Sequence, residues 1–539
     1  LISKLPLLQK ELIEYASTKR LFILRVLFGL CLYTIFLVNW SNYTSSDNLY
    51  RVLGSGRWLL EYIYIINIIA IFVILPMSSA CVITNEKEKR TLSLLLTTQL
   101  GPTLILFEKF ISLVISIFSF LLISFPAMYL AYLLGGLTNK KILISLYAQF
   151  LTVVQVAAVG LFFSCYCKTS IKAIMATYIW GFALYIFFPF FEIFDNVSYY
   201  LEIVMFPPAF YYYLDSYASG PWEMFAYTIP IWISAALFLL GARHFLITYP
   251  QRMNKKPMAQ KVRDDFHIVK RKVPHIRLPI LWREGSHSSW PFAAKIFFIL
   301  GAVIGVGFFG SLPSSRGNRH EFAMIIYFFA LAICALFLTM RSVTLFQREI
   351  KQETWDVLLT TTMTTRSIFW QKAMAVTRFT LYICILLLCI YTFNLAAFPR
   401  SYYSSSRLPS GARWTYAVVF TFLIFTNIQW FMMWLGLTFR KNTKIALVAV
   451  GLIAAWCIMP ILVSEFAREI LGGSRSNYRV LALFSPFAIF IAVTDGRIPG
   501  YSNRMYTAMN IGFVIFAVQA VVFYVAASIS SQKHIRVCD

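Results

Sequence analysis

The chain has 539 residues, 59% of them apolar and 13% charged, with a mean hydropathy of +0.69. Soluble domains run about 45–50% apolar and about 25% charged, so a soluble globular enzyme is excluded. Disorder is excluded too, because this much apolar surface has to be buried. The balance of 48 Lys+Arg against 23 Asp+Glu, a net +25, fits cytoplasmic loops that follow the positive-inside rule better than nucleic-acid binding, which would need a soluble basic domain.

In chain order, the segment 5–15 places Leu5, Leu8, Leu12 and Tyr15 on one helical face and Lys10, Glu11 and Glu14 elsewhere. That pattern suits a helix lying in the membrane interface. Apolar runs of span length follow near 21–39, 58–84, 103–134, 141–166, 171–194 and 225–246. The first of them lacks a small-residue cleavage site, so a removable signal peptide is not expected. A basic stretch then carries Arg252, Lys255, Lys256, Lys261, Arg263, Lys270, Arg271, Lys272, Arg277 and Arg283 against Asp264, Asp265 and Glu284. The positive-inside rule puts it in the cytoplasm. Further runs lie near 291–311, 322–345, 367–398, 414–438, 445–464 and 507–529.

The expected fold is therefore an all-α polytopic membrane protein of about 12 transmembrane helices, with both termini cytoplasmic. Its expected parts are a first six-span unit over 1–248, a basic cytoplasmic linker over 249–277 and a second six-span unit over 278–539. The first unit distributes its cations as this topology requires. The second agrees less well, because its last outside loop would carry Arg468, Arg475, Arg479, Arg497 and Arg504. Nine cysteines and the scattered histidines form no disulfide framework and no metal-ligand spacing.

The two halves repeat one another in the same direction. Leu5-Pro6-Leu7-Leu8-Gln9-Lys10-Glu11 returns as Leu278-Pro279-Ile280-Leu281-Trp282-Arg283-Glu284. After the second run, Glu86 to Thr98 reads EKEKRTLSLLLTT; after the eighth, Glu349 to Thr361 reads EIKQETWDVLLTT. Thr91, Leu95, Leu96, Thr97 and Thr98 match Thr354, Leu358, Leu359, Thr360 and Thr361 at one constant offset, and Lys109 and Lys372 keep it. Phe206-Pro207-Pro208 and Phe484-Ser485-Pro486 precede the last run of each half.

The segment 86–98 predicts a short amphipathic helix between two spans. Leu92, Leu95 and Leu96 share a face at i, i+3, i+4, acids stand ahead of them, and Gly101-Pro102 ends the element. Such a helix either fits a groove on a soluble partner or packs as a turnaround on its own bundle. Its recurrence at equivalent positions favours the first.

The string E-x-E-x-R-T-L-x-L-L-L-T-T-x-L-x-P followed by a lysine resembles the cytoplasmic coupling segment of ABC type 2 permeases, the membrane subunits of a class of ATP-binding-cassette exporters. A common form there is E-x-E-x-G-T-L-E-x-L-L, so Arg90 stands where that family has Gly and Ser93 where it has Glu. The second copy keeps Glu349, Glu353, Thr354 and Leu358-Leu359, with Trp355 and Asp356 in place of Leu and Glu. The Leu-Pro openings, with Lys10-Glu11 and Arg283-Glu284, look like the interfacial connecting helix of such permeases.

The resemblance implies ATPase-coupling helices at Glu86, Glu88, Arg90, Thr91, Leu95, Leu96, Thr97 and Thr98, and at Glu349, Glu353, Thr354, Leu358, Leu359, Thr360 and Thr361. It implies a separate ABC ATPase subunit, in two copies per complex, that holds ATP and Mg, and a place in the cytoplasmic membrane beside lipid. The chain itself contains no GxxxxGK[ST] loop, so it is not expected to be an enzyme alone.

Polar groups in or near the runs are Arg25, Glu61, Gln149, Gln155, Lys295, Arg378, Asn394, Asn427, Gln429 and Gln519. Gln155 and Asn427 lie deepest, in corresponding fourth runs, where they either line a translocation path or hydrogen-bond between helices. A secondary transporter built on two parallel repeats is the alternative function. It would need coupled acids near the midplane, and few are present. A membrane transferase would need a catalytic Asp, Glu or His cluster at one face, and none stands out.

Overall fold

The computed structural model describes residues 6–17, 19–44, 54, 56–187, 211, 221–249, 279–281, 327, 330–332, 334–343, 345, 349, 363–397, 410–438, 451–453, 456–457, 460, 463–464, 484–486, 488–490 and 505–533. It is 92% helical, with no strand among the described residues. Among the described residues, seven helices are long and apolar enough to cross a membrane: Gly56–Glu88, Pro102–Leu133, Asn139–Tyr166, Met224–Ile247, Arg366–Thr392, Gly411–Thr438 and Met509–Ser531. Shorter apolar helices cover Phe22–Thr34 and Ala330–Val343. The chain is an all-α, multi-pass membrane protein. The expected run at 291–311 and most of that at 445–464 lie outside the described residues. The chain divides into two compact units, Leu1–Arg271 and Lys272–Asp539.

The first unit contains α1 (Pro6–Ser17), α2 (Lys19–Thr44), α3 (Gly56–Glu88), the short α4 (Leu92–Leu96), α5 (Pro102–Leu121), α6 (Phe125–Leu133), α7 (Asn139–Tyr166), α8 (Ser170–Phe187) and α9 (Pro221–Ile247). In lipid, apolar burial gives helices little reason to associate, so close packing and interhelical hydrogen bonds must do so. The α3–α7 contact shows both. Gly160 on α7 faces Ser79 on α3 so closely that a Cβ there would fall 1.8 Å from the serine Oγ. One turn on, Ser164 Oγ accepts from the backbone N–H groups of Ile83 and Thr84 at 2.9 and 3.1 Å.

The third long helix of this unit is broken. Pro126 has no N–H to give and cannot continue the helix before it. The chain passes through a 3₁₀ turn, Leu122–Ser124, between α5 and α6. The polar groups at the break find partners: Ser124 Oγ donates to the Leu121 carbonyl at 2.7 Å, and Tyr33 of α2 donates to the Ile123 carbonyl at 3.1 Å. Asn67 of α3 donates to Ser124 Oγ at 2.9 Å and to Gln149 Oε1 of α7 at 3.2 Å.

The second unit contains α10 (Thr365–Ala397), α11 (Ser410–Thr438) and α12 (Met505–Lys533). Its core is apolar and aromatic, with Leu387, Phe420, Phe425 and Phe516 fully buried. Here α10 runs through without a break; Cys389 stands where the repeat offset puts Pro126. Gln429 of α11 ties it to α10, accepting from Thr380 Oγ1 at 2.8 Å and donating to Thr377 Oγ1 at 2.9 Å.

Candidate functional site

The polar turn between α3 and α5 is built from the end of a long helix whose last residues are charged. Lys87 reaches the C-terminus of α7 and donates to the carbonyls of Ser164, Cys165 and Cys167 at 2.9, 2.5 and 3.0 Å. Those are the carbonyls a helix end leaves without partners, and a cation is favoured there by the helix dipole. The ammonium also lies 5.2 Å from the Tyr249 ring centre. The next residue does the reverse at the other side of the turn. Glu88 Oε1 accepts from the N–H of Ser170 at 2.8 Å, the first residue of α8, where an anion is favoured. Two adjacent side chains of opposite charge thus clamp two helix ends of opposite polarity.

Glu86 accepts twice from Thr91: its side chain takes the Thr91 hydroxyl, and its carbonyl takes the Thr91 N–H at 3.0 Å. Between them the chain reverses at Arg90, whose φ is 59°. That is the left-handed region, which costs a residue with a Cβ and favours glycine. It is the position at which the resembling family has Gly. The helix α4 follows, with Leu92 fully buried and Leu95 and Leu96 half-buried. Leu92 belongs to an apolar cluster with Val82, Ile83, Leu106, Leu161 and Leu246, and Leu95 and Leu96 pack against that cluster. The predicted leucine face therefore rests on the protein's own bundle. The exposed side consists of Lys89, Arg90, Ser93, Leu94, Thr97, Thr98 and Gln99. Gly101-Pro102, expected as the stop, also starts the next helix, with Pro102 at its first position.

A second polar constellation joins α1 to α5. Lys109 Nζ pairs with Glu11 Oε1 at 2.6 Å, the lysine fully buried. Glu108, also buried, accepts the N–H of Leu8 at 2.8 Å and so caps the first turn of α1. Lys10, expected beside Glu11 as part of the same helix, is exposed. Tyr15 lies in this neighbourhood; burial pushes its phenol well above the ordinary range, and Glu11 and Glu14 push it the same way.

The second unit repeats part of this. Gln371, at the offset counterpart of Glu108, accepts the N–H of Ile280 at 3.1 Å. Lys372, counterpart of Lys109 and fully buried, pairs with Glu349 at 3.3 Å. Arg283, Glu284, Glu353, Thr354, Leu358, Leu359, Thr360 and Thr361 lie outside the described residues.

Gln155 and Asn427 are both fully buried and both bridge helices. Gln155 Nε2 donates to Ser234 Oγ on α9 at 3.2 Å. Asn427 Nδ2 donates to the Leu423 carbonyl and, across to α12, to the Phe516 carbonyl, each at 2.9 Å. Arg25 places its guanidinium 5.4 Å from the Phe120 ring centre, and Glu61 pairs with Arg57 one turn away at 3.5 Å.

Sequence reasoning singled out Lys109 and Glu11 in two separate motifs, and the structure brings them together. It did not single out Glu108, Gln371, Asn67 or the clamping roles of Lys87 and Glu88. A signal for two of these was present: the residue before each repeated lysine is Glu in one copy and Gln in the other, two acceptors of one shape. No family model, curated protein or solved structure matches the chain.

Proposed function

We propose that this chain is the membrane permease of an ATP-driven exporter, receiving its energy from a separate ATPase subunit that holds ATP and Mg, two copies to a complex. The observation that carries the proposal is the segment 86–98, duplicated at 349–361. Its first copy forms a short helix at a turn between long helices and makes its left-handed reversal at the position where the resembling motif has Gly. Its attachment supports the same reading. A push on α4 reaches α7 through Lys87, α8 through Glu88 and α3 through the continuous backbone. Lys109, buried on α5, passes strain on to α1 through Glu11. A displacement at one polar turn would thus be distributed over most of a six-span unit, which is what a rocking transition requires. The duplicated motif gives each unit its own input.

The test is capture of the intact membrane complex through single cysteines, Ser93→Cys in the first unit and Asp356→Cys in the second, followed by an ATP hydrolysis assay of the product. The expected result is an adduct from both sites to a subunit with a phosphate-binding loop, with hydrolysis that Lys87→Met or Glu88→Gln uncouples from transport. Transport driven by an ion gradient, with no ATPase captured at either site, would refute the proposal in favour of a secondary transporter.

A further inference from the structure

Resting on the ATPase-partner reading, and sharpening it, is the question of which side of the turn the partner touches. The resembling motif would present acids and leucines. In this chain those residues are used internally: Glu86 holds Thr91, Glu88 caps α8, and Leu92, Leu95 and Leu96 lie on the bundle. Among the described residues of the turn, what remains outside is Lys89 and Arg90, no exposed carboxylate, and Leu94, 68% exposed and flanked by the exposed residues Ser93, Thr97 and Thr98. Arg90, at the left-handed reversal, is exposed.

We infer that the partner surface is a protein socket with an acidic rim and a small apolar floor, meeting a cationic knuckle of Lys89 and Arg90 with Leu94 as its plug. Charge complementarity selects the rim: two cations with no acid beside them on the exposed side steer and hold an acidic surface, and resist a basic one. The single leucine selects the floor, since an isolated apolar side chain among polar neighbours gains most in a matching pocket. The apolar area argues against the bilayer as the occupant: one exposed leucine is too little to hold a segment on lipid.

The experiment places a photo-crosslinking residue at Leu94, and in a separate variant at Leu92, in the full chain in its own membrane, and maps the adducts to peptides. The expected result is a protein adduct from Leu94 and none from Leu92, with Asp or Glu flanking the mapped partner position. Lys89→Glu with Arg90→Glu should lower the Leu94 adduct about tenfold, as two attractive pairs become repulsive. Lys or Arg placed at the mapped acids should restore it. The Leu92 variant perturbs the core, so the amount of each variant in the membrane is measured beside the adduct. A lipid adduct at Leu94, a mapped surface without acids, an adduct unaffected by the charge reversal, or no adduct at all would overturn the inference. A partner with acids at the mapped site but no phosphate-binding loop would uphold the acidic socket and remove the ATPase reading, so the two fail separately.

Discussion

The two units fasten an early helical turn to a long helix, α5 in one and α10 in the other, at the same place with different chemistry. In the first, a carboxylate, Glu108, takes the N–H of Leu8, and the neighbouring Lys109 is answered by Glu11 on α1. In the second, an amide, Gln371, takes the N–H of Ile280, and Lys372 pairs with Glu349, the first residue of the repeated motif. The geometry of the cap survives a change from charge to dipole, because a helix start needs an acceptor and not a particular acceptor. The lysine does need a carboxylate, since a buried ammonium without one costs several kcal/mol. The carboxylate can come from either side. In each unit the lysine pairs with a carboxylate outside its own helix: on α1 in one, and at the first residue of the repeated motif in the other.

The sharpest way to break this comparison is to remove the lysine's partner. Glu349→Ala takes a carboxylate from a fully buried lysine that keeps its bond to the Leu345 carbonyl, at an expected cost of about 3 kcal/mol. Glu11→Ala strands one whose partner is partly solvated, at about 2 kcal/mol, between exposed and buried values. Pairing each with Lys→Met at the same site should recover most of the loss. Unfolding midpoints of the full chain in detergent check the ranking; equal losses would mean that the two lysines are equally dependent and that the choice of partner is incidental.

The next difference is the broken third helix. Cys389→Pro would place in α10 what Pro126 places between α5 and α6. The cost should be about 3 kcal/mol, because a helix interior loses a hydrogen bond and gains a clash. In the first unit that loss is already absorbed by Tyr33, Asn67 and the 3₁₀ turn. Pro126→Ala should therefore change stability much less. If Cys389→Pro were also tolerated, the continuity of α10 would not be a structural requirement.

A smaller effect concerns close approach. Gly160→Ala puts a Cβ into Ser79, with even the serine Cβ at 2.5 Å, so α3 and α7 must separate. Overpacking of this kind costs about 1–3 kcal/mol. Gly436 of α11 makes the tight approach of the second unit, but its added Cβ would meet the Val343 carbonyl oxygen at 3.1 Å, within reach of a small shift. Gly436→Ala should be the milder of the two. Thermal midpoints measured side by side would decide it, and a reversal of the order would mean that the second contact is the stiffer.

Much of the helical layout was legible because apolar runs of span length are long signals. The runs at 58–84, 103–134, 141–166, 225–246, 367–398, 414–438 and 507–529 all fall on long apolar helices. The short helix was legible from the spacing of Leu92, Leu95 and Leu96, but its orientation was not. A leucine stripe says which residues share a face and not what covers it, and here the protein's own bundle covers it. The acids follow a related logic. Glu86 and Glu88 look like a surface patch in sequence, yet the Thr91 hydroxyl and the free N–H of Ser170 draw their carboxylates inward. Helix ends create demand for charge that a linear pattern does not display. The third-helix break could have been anticipated from Pro126, whereas the Asn67–Ser124–Gln149 contact joins three helices and has no local signature.

The finest test exchanges the two caps. Glu108→Gln gives the first unit the second unit's acceptor. The Leu8 N–H keeps its partner, so the loss is confined to the interaction of a charge with the start of α1, about 0.5–1 kcal/mol. Gln371→Glu is not its mirror image. Lys372 already has the Glu349 carboxylate, so Gln371→Glu adds one more anion to a buried region, where desolvation makes it costly. The substitution should destabilise even though it strengthens the cap of the turn at Ile280. Removing the other acid at the same time, in a Gln371→Glu, Glu349→Gln double variant, should return most of that loss, because the number of buried carboxylates is then unchanged. Losses that simply add in the double variant would show that the cap and the lysine act independently, and the two units would then differ by residue choice alone rather than by how their charges are shared.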